Sequence, residues 1–274
     1  MQPSLYSRSL IATAVLCVTA LLPQASNATI VEFETSIGTF EVNLYDNATP
    51  QTVANFLNYV QNANYSQSVI HRSVAGFVVQ GGGFVTAEDA QVSAITENPA
   101  VNNEPVFSNV RGSIAMAKLQ SGPDTATSQW FFNLANNANG AANLDNTNGG
   151  FTVFGEVTGT GMDTVNAVAA LPTYNFGGAF AEIPLQNYTV ADFDNNVPVT
   201  KANFVVITAI TVIDTTVDSA GVAGLTPALS TANNGGGGNG GGGGGGGGGG
   251  SFGLLALLGL SVIGRRRYRI TKAA

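Results

Sequence analysis

The polarity pattern from residue 29 onward changes period several times, and each change marks an element. Val31, Phe33 and Thr35 alternate with Glu32 and Glu34, and Phe40, Val42 and Leu44 alternate with Glu41 and Asn43. Alternation with period two belongs to a half-buried strand. With Ser36-Ile37-Gly38 between them, the two runs predict a β-hairpin. The period then lengthens. Val53, Phe56, Leu57 and Val60 fall at i, i+3, i+4 and i+7, the apolar face of a helix, with Pro50 at its first position and Thr49 as its cap. Short apolar runs at 76–80, 113–118, 129–134 and 151–157 predict strands, and 163–170 predicts a second helix. A closing strand over 204–213 sets Val206, Thr208, Ile210 and Val212 on one face. Residues 172–203 are irregular and read as a long loop with strand fragments. Many short strands with two helices predict a mostly-β barrel or sandwich.

Both ends break this pattern. Residues 1–28 carry Arg8, an apolar run from Leu10 to Leu22, and the small residues Ser26-Asn27-Ala28. These are the parts of a secretory signal peptide, which puts the mature start at Thr29. The only cysteine, Cys17, lies inside this leader, so disulfides, thiolate catalysis and cysteine metal sites are excluded from the mature chain. Residues 29–214 form one domain, large enough for one core. Residues 215–250 are a polar and then glycine-rich linker, with 15 of the 35 glycines between 235 and 250. Residues 251–274 hold an apolar run at 252–263 and the basic cluster Arg265-Arg266-Arg267-Tyr268-Arg269. Twelve apolar residues would span about 18 Å as a helix, short of a hydrocarbon core of roughly 30 Å.

Separating the ends changes the charge. The whole chain is −7, but six of its ten bases lie in the two end segments. The stretch between keeps Arg72, Arg111, Lys118 and Lys201 against all 17 acids, a net −13. Such a body is repelled by phosphate backbones, which argues against nucleic-acid binding.

The densest motif is Ile70-His71-Arg72-Ser73-Val74-Ala75-Gly76-Phe77-Val78-Val79-Gln80-Gly81-Gly82-Gly83-Phe84. A second block runs Arg111-Gly112-Ser113-Ile114-Ala115-Met116-Ala117, then Ala126-Thr127-Ser128-Gln129-Trp130-Phe131-Phe132-Asn133. A third is Asn143-Leu144-Asp145 followed by Val153-Phe154-Gly155-Glu156-Val157. In order and spacing these blocks resemble the cyclophilins, peptidyl-prolyl cis-trans isomerases, and most closely their exported bacterial members. The resemblance spans residues 29–213. It implies an eight-stranded antiparallel closed β-barrel capped by two α-helices, with no cofactor and no metal.

It also implies a site. Arg72, Gln80 and Phe131 would form the catalytic centre. Phe77, Val78, Phe131 and Leu144 would wall a pocket for the proline ring. Gln129 would hydrogen-bond the peptide or Arg72, and the backbone near Ala117 and Lys118 would hold the extended substrate. The partners implied are proline-containing polypeptide segments, met by a monomer. The residue types suit the chemistry. Resonance holds the prolyl bond planar behind a barrier of about 18–20 kcal/mol, and nothing covalent breaks. A fixed cation that hydrogen-bonds the prolyl nitrogen only in the twisted state accelerates the rotation. Two departures touch the pocket: Asn143 stands where many members have an aromatic residue, and Phe151 where others have histidine or tyrosine.

The tail, in turn, resembles the glycine-rich GlyGly-CTERM sorting signals. That resemblance implies export to the periplasm or cell envelope, transient contact with the inner membrane, and removal of the tail by a sorting protease before release to the surface. A plain membrane tether is the alternative.

Other features have plainer readings. His71 is the only histidine and stands outside the catalytic set as a packed residue. Gly81-Gly82-Gly83 lacks the Gly-Lys-Ser/Thr ending of a phosphate loop. Asp192-Phe193-Asp194 lacks the ligand spacing of an EF-hand and reads as solvated loop acids. Two non-catalytic functions remain open on the sequence: a surface peptide clamp, and a holdase-like chaperone.

Overall fold

The computed structural model describes residues 28–217 and 267–271. Residues 1–27 of the expected signal segment, the glycine tract and the apolar run of the tail lie outside them. The domain opens with β1 (Ala28–Thr35), β2 (Thr39–Leu44) and helix α1 (Pro50–Gln61). The short strands β3 (Ser68–Val69), β4 (Arg72–Val74), β5 (Val78–Gly81), β6 (Phe84–Thr86) and β7 (Gln91–Ala94) follow. Next come β8 (Ser113–Met116), β9 (Trp130–Asn133), β10 (Val153–Val157) and helix α2 (Gly161–Ala169). The 172–203 segment contributes β11 (Thr173–Tyr174), β12 (Ile183–Pro184) and a short helix α3 (Val190–Asp194). The domain ends with β13 (Val206–Val217), and the tail adds β14 (Arg267–Arg269).

Twelve of these strands make one antiparallel sheet, in the order β14-β7-β6-β3-β13-β1-β2-β10-β8-β9-β5-β4. The expected eight strands are therefore more numerous and shorter, and the paired ladder has two ends. The chain changes neighbours at Ile70-His71: β3 pairs with β13 and β6, whereas β4 pairs with β5. Ile70 still donates its N–H to Val205 O at 3.0 Å, and His71 donates to Gln80 O at 3.2 Å.

The main core lies on the inner side of this sheet. Phe33 stacks on Phe40 at 5.0 Å and meets Trp130 and Phe132 edge-on at 5.4 and 5.6 Å. Helix α1 adds Val53, Phe56 and Val60, as its periodicity predicts, and Tyr59, which it does not, while Leu57 is only partly buried; α2 adds Val165 and Val168. Aromatic pairs in this geometry add to the burial of their large surfaces. A second cluster joins the 172–203 segment to the sheet, packing Tyr174, Ile183, Leu185 and Tyr188 on Val69, Phe84, Val92 and Phe204. Ile270 of the tail is buried in it too, while β14 pairs with β7 along Arg267 to Arg269.

Two local expectations are corrected. Thr49 precedes α1 but makes no side-chain cap; its hydroxyl donates to Tyr45 O. The cap is Glu104, from a distant loop, whose carboxylate accepts from Gln51 N at 3.3 Å and from Thr52 N at 2.9 Å. A negative group there satisfies free N–H donors and complements the helix dipole. In β13 the even face does not stay inside: Thr208 and Val212 are exposed, while Ile207 joins the main core. The register jumps from Glu34↔Ala209 to Thr35↔Ile207, and the extra residue of such a bulge turns the strand over. Asp192 has a local job: its carboxylate accepts from the N–H and hydroxyl of Thr189 at 2.8 and 2.7 Å, closing a capping box on α3.

Candidate active site

One cross-strand row gathers the centre. Arg72 in β4 is paired with Gln80 in β5, Gln80 with Phe131 in β9, Phe131 with Ala115 in β8, and Ala115 with Val153 in β10. Partners directly opposite in antiparallel strands point to the same face. The row therefore brings together residues 81 positions apart in the chain, on the face away from the main core. Phe77, Val78, Ala115, Ala117, Phe131, Leu144, Phe151 and Val153 form one apolar cluster on that face.

All nine residues singled out from the sequence are buried, none more than 8% exposed. Four of them are polar, so each needs partners. Arg72 Nε donates to Glu182 Oε2 at 2.8 Å, and its guanidinium carbon lies 5.9 Å from the centre of the Phe77 ring. Gln80 Nε2 donates to Gln129 Oε1 at 3.0 Å, while Gln80 Oε1 is buried with no partner. The two glutamines thus form a pair beside the arginine. Ala117 gives its N–H to Gln129 O at 2.9 Å, so the backbone group it can offer a substrate is its carbonyl.

Lys118 is not at an open rim. Its ammonium donates to Asn148 O at 2.7 Å and to Gly150 O, and lies 4.9 Å from the Phe151 ring centre. Burial pulls its pKa down to about 8, against the nearby Asp124. The side chain pins the 148–150 loop instead of waiting for peptide.

The pocket wall is tied from behind by a polar chain. Asn137 Nδ2 donates to Phe77 O at 2.9 Å and to Asn133 Oδ1 at 2.7 Å, and Leu144 N donates to Asn137 O at 2.8 Å. Asn133 reaches Ser113 and Asn109, and Asn109 reaches the buried Asp145. Phe151 meets Phe131 edge-on at 5.9 Å and supplies an aromatic wall. Asn143 takes a left-handed backbone, φ 46°, and accepts from Asn146.

The Gly81-Gly82-Gly83 run is explained by crowding. Gly82 has φ +77°, and a Cβ there would stand 2.6 Å from Ser128 O; one on Gly83 would stand 2.9 Å from the Gln129 side chain. Glycine allows both the backbone turn and the close approach. His71 is fully enclosed, edge-on to Phe84 at 5.2 Å. Burial, and then the charge of Arg72, push its pKa down to about 3. It is neutral at physiological pH and has no charge to lend the reaction. A groove of about 620 Å³ lies elsewhere, lined by Glu88, Tyr188, Lys201 and Ile270 among others, and contains none of these residues.

Four neighbours of the candidate site escape the sequence analysis. Phe151 was seen only as a departure, and Tyr45 and Phe107, 4.8 Å apart, join the same cluster from distant loops. Glu182 had no local signal at all.

This fold and this site define a class, the enzymes that rotate peptide bonds before proline. The family model "Cyclophilin type peptidyl-prolyl cis-trans isomerase/CLD" matches residues 30–194. A peptidyl-prolyl cis-trans isomerase of Acinetobacter baylyi is 41% identical over 150 residues, covering 54% of this chain and 76% of its own length. Peptidyl-prolyl cis-trans isomerase A of Dickeya dadantii is 39% identical, covering 60% and 84%. Peptidyl-prolyl cis-trans isomerase B of Escherichia coli is 32% identical, covering 59% and 96%. The chain belongs to the cyclophilin-type peptidyl-prolyl cis-trans isomerases.

Proposed function

We propose that this chain is an exported prolyl isomerase that acts on proline-containing segments of unfolded or extended proteins, with Arg72 as the catalytic cation. The observation that carries this is the row Arg72–Gln80–Phe131 across three paired strands, a cation and an amide set against an apolar pocket. The proline ring sits between Phe77, Val78, Phe131 and Leu144. Arg72 donates to the prolyl nitrogen as conjugation is lost, an interaction stronger in the twisted state than in either planar one. Gln80 and Gln129 hold the peptide, and the Ala117 carbonyl receives its backbone. Arginine suits this role because it stays charged and its donors are planar. Uncatalysed isomerisation takes roughly 10–100 s, slow enough to limit folding after export. We read the sheet as the family's eight-stranded barrel, with Ser68 to Val74 acting as one strand on both sides of the seam; the Ile70 and His71 backbone bonds support this.

Export draws support from Thr29. Its N–H donates to Asp46 Oδ2 at 2.7 Å and its hydroxyl to Asp46 Oδ1 at 2.8 Å. Cleavage before Thr29 would turn that N–H into an ammonium already facing a carboxylate. The tail reading as sorting signal or tether stands beside the pairing of Arg267 to Arg269 on β7; one chain does not hold that segment on an exported domain and across a membrane at once.

The test is an isomerisation assay of the full mature chain on a panel of Xaa-Pro peptides. Activity in the wild type, and its loss in a folded Arg72→Ala variant, are expected. An inactive wild type that still binds the peptides sinks the catalytic reading in favour of a peptide clamp. Mass spectrometry of native protein is expected to find Thr29 first and a C-terminus near the glycine tract. Recovery of intact 265–274 in the main population excludes processing and leaves tethering.

A further inference from the structure

We infer that Glu182 is a positioning residue for Arg72, delivered by the 172–203 segment to fix the plane of the catalytic guanidinium. The inference rests on Arg72 being the catalytic cation. The contact joins residues 110 positions apart: Arg72 Nε donates to Glu182 Oε2 at 2.8 Å, with the arginine side chain only 5% exposed and the glutamate 36%. The carboxylate is held on a built support. The Glu182 carbonyl accepts from Ser73 N at 2.8 Å, next to Arg72. Ile183 is fully buried and pairs with Tyr174 in the β11–β12 ladder. Phe180 packs on Phe84 at 4.8 Å, and Phe84 meets His71 edge-on.

A second ion pair among the described residues differs. Lys201 reaches Glu88, whose side chain is 90% exposed, and pairs of that kind contribute little.

A charge-assisted bond at Nε uses one edge of the guanidinium and sets its rotation, leaving the donors on the two terminal nitrogens to other acceptors. Two effects oppose each other at the prolyl nitrogen. The carboxylate weakens the positive field there, but it is partly solvated and therefore screened. Without it, the long side chain must be ordered anew in each turnover, which raises the barrier. The donor's placement acts at contact distance and outweighs the screened charge.

The experiment uses the full chain with an Ala-Pro-containing peptide, the cis–trans exchange rate being read by NMR. Glu182→Ala is expected to lower kcat about 5- to 20-fold, leaving KM within about 2-fold and the melting temperature within a few degrees. Glu182→Gln, which keeps an acceptor oxygen, stays within about 3-fold of wild type. The Arg72 Nε–H resonance exchanges slowly with water in wild type and fast in Glu182→Ala. Wild-type or higher kcat in Glu182→Ala, or an unchanged Nε–H exchange rate, overturns the inference. Wild-type activity in Arg72→Ala fails the underlying reading instead, and the two failures are told apart by that variant alone.

Discussion

The sheet carries two buried surfaces back to back, and β9 shows both. Trp130 and Phe132 enter the inner core with Phe33, whereas Phe131 between them faces the outer row with Gln80 and Arg72. All three aromatics are at most 1% exposed, so burial does not tell a core from a site. Polar content does. The inner face of β5, β8 and β9 is Val79, Ile114, Met116, Trp130 and Phe132, apolar apart from the indole N–H and a thioether. The outer face holds an arginine and a glutamine pair with an amide oxygen left unsatisfied. Buried polar groups cost stability unless fully paired. A cluster of them on one face sets the candidate site apart from the core.

The comparison can be broken from either side. The largest effect is expected on the inner face. Trp130→Ala should cost about 3–5 kcal/mol of stability, read as a fall in denaturant midpoint. A loss below 1 kcal/mol would mean that this face is not the main core. On the outer face Arg72→Ala should lower the isomerisation rate about 100- to 1000-fold, in the range for removing a preorganised donor, with a melting temperature near wild type.

His71 lies where the chain changes strand neighbours and should make stability fall in mild acid. Its folded pKa of about 3 lies below the unfolded value near 6.5. Between these limits the unfolded chain binds the extra proton, so stability rises with pH through the window and is flat, for this group, above it. Acidification from pH 6.5 toward 3 costs on the order of a few kcal/mol. Urea titrations between pH 6.5 and 5, above most carboxylates, are expected to show the slope in wild type and lose it in His71→Gln. Equal slopes would mean that His71 protonates in the folded state.

The finest test makes one substitution on neighbouring residues. Phe132→Leu should cost about 1–2 kcal/mol of stability and change the rate less than 2-fold. Phe131→Leu should lower kcat/KM about 10-fold and cost less stability than its neighbour. If the two variants behave alike, the division of faces is wrong.

Much of the candidate site was legible through the family resemblance, because its motif blocks hold the parts at short spacing. Arg72 and Gln80 fall on facing positions of one short hairpin, Phe131 on the strand paired with it, and Gln129 just before that strand. The face of α1 was legible from its 3.6-residue period. The β13 bulge was not, because one extra residue leaves no mark in composition and yet reverses every later position. The Glu104 cap could not be read either: Thr49 is the standard local choice, and the group that displaced it lies 52 positions beyond Thr52. Lysines are usually exposed, and nothing local marks the Lys118 side chain as buried. Only the folded 148–150 loop supplies the carbonyls that hold it inside.

By itself the amino-acid sequence determined the alternation of the strands, the helix faces, the motif that sets Arg72 and Gln80 opposite each other, and the separation of an acidic body from basic ends. These rest on local periods and short spacings. Tertiary structure alone decided which buried face is core and which is cleft, what caps α1, and where the 172–203 segment sends its carboxylate. Those outcomes depend on contacts between segments tens of residues apart, fixed by packing and hydrogen-bond satisfaction, and no local pattern encodes them.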